Sequence, residues 1–138
     1  MSFNISGTQS TYVVDVRNNY KTIAEDFCIK YYTIYDNNFM DLNNIYYAES
    51  QFTFLGNEII GFSNFVNKLR DLGIYKFLHH NMNIVVQPIG PANLIITVSG
   101  FISLNSSLIL NKFVETIFIQ RDNNNLLYVC STVFKITE

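Results

Sequence analysis

The chain has 138 residues, 49% hydrophobic and 15% aromatic against 14% charged, which is enough apolar material for one buried core and far from the disordered regime. A net charge of −2, with nine Lys and Arg residues scattered singly, excludes unaided nucleic-acid or anionic-membrane binding, because both need a concentrated cationic surface. Cys28 and Cys130 are too few for a disulfide framework and read as small buried hydrophobes. No apolar run approaches the roughly 20 residues of a membrane span. The opening MSFNISGTQST lacks a signal-peptide core, which predicts an intracellular protein.

Residues 1–14 read as an N-terminal extension and 15–138 as a single domain. Tyr20, Ile23, Ala24, Phe27, Cys28, Tyr31, Ile34 and Tyr35 follow the i, i+3, i+4, i+7 pattern of a one-sided helix, predicted over 15–36. It stops at Asp36-Asn37-Asn38. Leu42, Ile45 and Tyr46 predict a second, shorter helix. The period then changes. Gln51-Phe52-Thr53-Phe54 alternates as a strand, Gly56-Asn57 turns it, and Ile59-Ile60 returns. Ser63 is the expected N-cap of a third helix carrying Phe65, Val66, Leu69 and Leu72 and stopped by Gly73.

The second half reads as strands at 79–86, 94–104, 109–120 and 126–136, rich in β-branched and aromatic residues. Turn signals at Pro88-Ile89-Gly90-Pro91, Asn105-Ser106-Ser107 and Asp122 to Asn125 separate them. Helices followed by consecutive antiparallel strands make an α+β plan with helices on one sheet face. The strands hold more apolar residues than one small core needs, so the open face is expected to be buried by another subunit.

Few residues offer chemistry. His79 and His80 are adjacent on a strand and point to opposite faces, so they cannot clasp one metal. Acid-base catalysis needs an inward carboxylate or His beside a donor. The strands supply only Glu115 and Glu138, and the first helix offers Tyr31 and Tyr35 as donors. No phosphate-binding loop, nucleophile elbow, zinc-protease or calcium-loop pattern occurs, and no cofactor, metal or catalytic residue is expected.

The run YKTIAEDFCIKYYTIYDNN from Tyr20 resembles the first helix of nuclear transport factor 2 and its relatives, through Phe27, the Tyr31-Tyr32 pair and the ending Tyr35-Asp36-Asn37. The resemblance continues at Leu42, Ile45-Tyr46, Thr53-Phe54-Leu55-Gly56, Gly61, Gln87-Pro88, Gly100, Phe113-x-Glu115-x-Ile117 and Phe134-Lys135-Ile136, covering residues 18–137. It implies a cone of three helices on a curved antiparallel sheet whose open face forms a dimer. It also implies nucleocytoplasmic transport between cytoplasm and nucleus through the nuclear pore, with Phe-Gly nucleoporin repeats and either Ran-GDP or an mRNA-export receptor as partners. A small-molecule enzyme or ligand-binding cone is the alternative of another class, since some distant relatives are enzymes.

Residue by residue, the resemblance places Tyr20 where the family has an aromatic that meets Phe-Gly repeats, and Lys76 and His79 at the Ran-binding mouth. Acidic family positions at that mouth are Leu55, Asn105, Ser107 and Thr132 here. In the export-partner reading, Lys135 is a cross-partner ion-pair donor. A homodimer, or a heterodimer with a larger receptor, is expected, with no direct nucleic-acid contact and no membrane insertion.

Overall fold

The computed structural model describes residues 15–137, and the extension over 1–14 lies outside them. Two α-helices cover one face of a six-stranded sheet. Helix α1 spans Tyr20–Asn38 and α2 Phe62–Asp71; the strands are β1 Tyr46–Phe54, β2 Asn57–Ile60, β3 Phe77–Ile89, β4 Asn93–Leu104, β5 Asn111–Arg121 and β6 Leu127–Ile136. The order β2-β1-β6-β5-β4-β3 confirms the α+β plan. All neighbours are antiparallel except β1 and β6, which pair in parallel. That exception corrects the all-antiparallel expectation: the meander from β3 to β6 brings the last strand back beside the first, running in the same direction.

Several boundaries move for local reasons. The first helix starts at Tyr20 because Asn19, at φ −137° and ψ 34°, breaks from a preceding 3-10 turn at Val16–Asn18. The expected second α-helix is a 3-10 helix, Phe39–Ile45. Asp41, Asn43 and Asn44 are poor α-helix formers that compete for backbone hydrogen bonds. Tyr46 therefore opens β1 instead of closing a helix. Ser63 is not the cap of α2: Gly61, at φ +89°, precedes Phe62, and a Cβ there would lie 3.3 Å from the Ala48 carbonyl oxygen.

Gly73 does stop α2. Its N–H bonds the Arg70 carbonyl at 3.0 Å, and Ile74 N–H bonds that of Leu69 at 2.9 Å. With Gly73 at φ +72°, this is a Schellman ending. The strand expected from Ile109 begins at Asn111, since β4 leaves β5 after the Ile102–Asn111 pair and continues against β3 to Phe77–Leu104.

The core is unusually aromatic. Phe52 stacks on Phe65 at 4.6 Å and Phe54 on Phe134 at 4.9 Å between ring centroids. Tyr31, Tyr32 and Tyr35 of α1 are buried, as the helical period requires. Cys28 is buried, but Cys130 is only half-buried, with Sγ 3.7 Å from Gln120 Oε1; alternation about buried Val129 turns it to the outer face. Outward residues include Val85 and Val133, 61% and 48% exposed. No helix among the described residues is long and apolar enough to cross a membrane.

Candidate functional site

Strand directions gather the predicted residues. The ends of β1, β4 and β6 and the starts of β3 and β5 share one edge of the sheet, and α1 finishes against the start of β3. Asp36, in the last turn of α1, anchors this end. Its Oδ2 accepts from the His79 backbone N–H at 3.0 Å, its Oδ1 lies 2.5 Å from His79 Nδ1, and its carbonyl accepts from Lys76 Nζ at 2.5 Å. Lys76 and His79 thus fasten the helix to the sheet. His79 points inward among Tyr32, Tyr35 and Phe113, with ring centroids at 4.6, 5.2 and 5.2 Å, whereas His80 is half-buried on the other face.

Asn105 is committed to the fold. Its backbone is at φ +55°, which Asn tolerates better than most residues. Its Oδ1 accepts from the N–H groups of Tyr75 at 2.8 Å and Lys76 at 3.3 Å, while its Nδ2 donates to the Gly73 carbonyl at 2.8 Å. Ser107 is similarly engaged: its Oγ accepts from Ile109 N–H at 3.1 Å, and its carbonyl accepts from Ser103 Oγ at 2.6 Å. The Asn105 side chain thus braces two loops against each other, while the Ser107 bonds stay within the β4–β5 loop.

What the loop offers outward is apolar. Leu108 is 99% and Ile109 71% exposed, with Leu110, Tyr75 and Leu55 exposed at the same end. Leu55 sits in the β1–β2 turn at φ +49°, and Glu58, on β2, is exposed. Lys135 is exposed on β6 beside Phe134, facing outward. Tyr20 is elsewhere. Sixteen residues before Asp36, it stands about 24 Å away along the helix at 1.5 Å per residue. The structure therefore brings together Leu55, Lys76, His79, Asn105 and Ser107, places Lys135 on the outer face near them, and leaves Tyr20 at the opposite end.

Behind the mouth lies a polar pair that the sequence reading did not join. Glu115 on β5 is 1% exposed and accepts from the Tyr32 hydroxyl at 2.7 Å. Burial raises the Glu115 pKa, opposed by hydrogen bonds from Tyr32 and Thr132 and by the nearby His79 ring. Burial likewise pushes the hydroxyls of Tyr31, Tyr32 and Tyr35 up. The signal was present: in Phe113-x-Glu115-x-Ile117 a period of two puts Glu115 on the inward face with its apolar neighbours. Chemically this is an acid-base set, yet aromatic rings fill the space around it, and among the described residues no group of His, Cys, Asp and Glu could hold a metal ion.

Residues 23–136 match the model of the nuclear transport factor 2 domain. Nuclear transport factor 2B of Arabidopsis thaliana is 29% identical over 83% of this chain and 91% of its own length. The solved structure of nuclear transport factor 2 from Cryptosporidium parvum is similar with a TM-score of 0.74, at 21% identity over 85% of this chain and 94% of that one. A hexachlorocyclohexane dehydrochlorinase from Novosphingobium barchaimii has the same fold, with a TM-score of 0.69 at 14% identity over 88% and 89% of the two chains.

Proposed function

The chain belongs to the nuclear transport factor 2 family, and on that premise we propose that it is a non-enzymatic nucleocytoplasmic transport factor moving between cytoplasm and nucleus through the nuclear pore. It meets Phe-Gly nucleoporin repeats at the α1 start around Tyr20, carries a protein partner at the end formed by Leu55, Lys76, His79, Asn105 and Ser107, and dimerises through the outer sheet face. The family match over residues 23–136 carries this reading.

Two observations refine it. Glu115 and His79 are 1% and 8% exposed among aromatic rings, which favours a structural over a catalytic role. At the partner-binding end, Asn105 and Ser107 are spent on internal bonds and Leu55 is apolar, so partner binding there relies on apolar burial by Leu108, Ile109 and Tyr75 more than on charge. This weakens the case for Ran-GDP as cargo and favours, as a second reading, the small subunit of an mRNA-export receptor. Lys135 makes no ion pair with any described residue, and in that second reading it faces the larger partner.

Sedimentation of the pure chain combined with titration against Ran in its GDP and GTP forms tests the assignment. A stable homodimer that prefers Ran-GDP supports the import factor. Weak self-association with no Ran binding moves the assignment to the export-partner subunit.

A further inference from the structure

Among the described residues β3 is an edge strand, paired with β4 on one side alone. It runs 13 residues without a Lys, Arg, Asp or Glu, although long uncovered edges are normally broken up by such charges because they otherwise pair with other chains. A groove of about 370 Å³ follows this edge, walled by Cys28, Ile29 and Tyr32 of α1 and by Met82 and Ile84 of β3. Ile29 and Met82 stand 67% and 37% exposed in it. The polar groups along the groove are already engaged: the Tyr32 hydroxyl donates to Glu115, the Thr33 hydroxyl donates to the Ile29 carbonyl, and the Asp36 carboxylate accepts from the His79 N–H. The groove therefore suits an uncharged, apolar occupant.

The chain itself enters at the end of this strand. Val16 is buried, and its N–H bonds the Pro91 carbonyl at 2.8 Å in the β3–β4 turn. From Ile89, the last residue of β3, Ile84 and Met82 lie about 16 and 23 Å back along the strand at roughly 3.3 Å per residue. Residues 1–14 contain no charged side chain, and they carry Phe3 and Ile5 ahead of the Gly-, Ser- and Thr-rich run from Ser6 to Thr11. In an extended segment Phe3 and Ile5 share one side. The eleven steps from Ile5 to Val16 have a coil dimension of about 17–20 Å and an upper limit of about 36 Å. The tether thus matches the span, which is the condition for the highest effective concentration.

We propose that the N-terminal segment docks on its own chain, seating Phe3 and Ile5 in the groove between α1 and β3. Seated there, it buries Ile29 and Met82 and closes the free edge to pairing with other chains. The inference does not depend on the transport reading, because it uses neither the mouth, nor the outer sheet face, nor Tyr20.

The test uses the full chain carrying ¹³C-labelled Met and Ile methyl groups. Nuclear Overhauser contacts from the Phe3 ring to the methyls of Met82 and Ile29 are expected, unchanged on dilution. Phe3→Ser combined with Ile5→Ser should abolish them, and amide hydrogen exchange over residues 82–86 should quicken at least about twofold. Ile29→Ser, at a site 67% exposed where folding tolerates a polar side chain, should weaken the Phe3–Met82 contact from the other side. Absence of any contact between Phe3 and Met82 or Ile29, or amide exchange unchanged in the double variant, would overturn the proposal. A contact that fades on dilution would overturn it too, by giving the groove to a second copy of the chain.

Discussion

The Tyr32 hydroxyl donates a 2.7 Å hydrogen bond to the Glu115 carboxylate, tying α1 to β5 inside the core. Burial raises the Glu115 pKa above its ordinary 4.5, so the folded protein holds this proton more tightly than the unfolded chain. The group's contribution is fully present below the unfolded pKa and is lost as pH rises through the folded one. Glu115→Gln keeps an acceptor for Tyr32 and removes the ionisation. Urea unfolding should show the variant more stable than the parent at pH 7–8, with the difference vanishing near pH 4. A variant less stable at neutral pH would show that the charged form is the one the core favours.

Asn105 joins the Gly73–Lys76 loop to the β4–β5 loop through three side-chain hydrogen bonds. Asn105→Ala loses all of them and puts Ala at positive φ, so it should destabilise by about 2 kcal/mol in thermal or urea unfolding. Asn105→Asp keeps the two accepted bonds and loses the donation to the Gly73 carbonyl, so it should cost less. Equal losses would mean that the accepted bonds contribute little.

Gly100 lies under the β3 bulge between His80 and Asn83. A Cβ there would meet the His80 carbonyl oxygen at 2.7 Å and Met82 Cα at 3.2 Å, both backbone atoms that cannot rotate away. Gly100→Ala should cost about 1–3 kcal/mol, read as a lower urea midpoint. An unchanged midpoint would mean that the bulge relaxes freely.

Val85 and Val133 are exposed on the outer face. If that face is the dimer interface, Val85→Asp and Val133→Asp should each give a monomer by sedimentation at concentrations where the parent is dimeric, without loss of helical signal. An unchanged dimer would place the interface elsewhere.

Much of the fold was legible because two periods dominate. Tyr20 to Tyr35 repeats at helical spacing and the second half alternates at two, so the α+β plan and the buried tyrosines followed directly. The parallel β1–β6 pairing was not legible, since adjacency between the first and last strands leaves no local mark. At the mouth, the sequence located Asn105 but not its employment, because hydrogen bonds to residues some thirty positions away are invisible to spacing. Asp36 was read only as part of a helix ending, although its carboxylate secures His79.

The most direct measurement of the central claim is titration of the labelled chain with a Phe-Gly repeat peptide, comparing the parent with Tyr20→Ala. Saturable binding at up to millimolar peptide, with shifts around the start of α1 and a threefold to tenfold loss in a folded Tyr20→Ala variant, is the predicted result. Absence of binding at millimolar peptide would contradict the account, and binding that Tyr20→Ala leaves unchanged would remove Tyr20 from it.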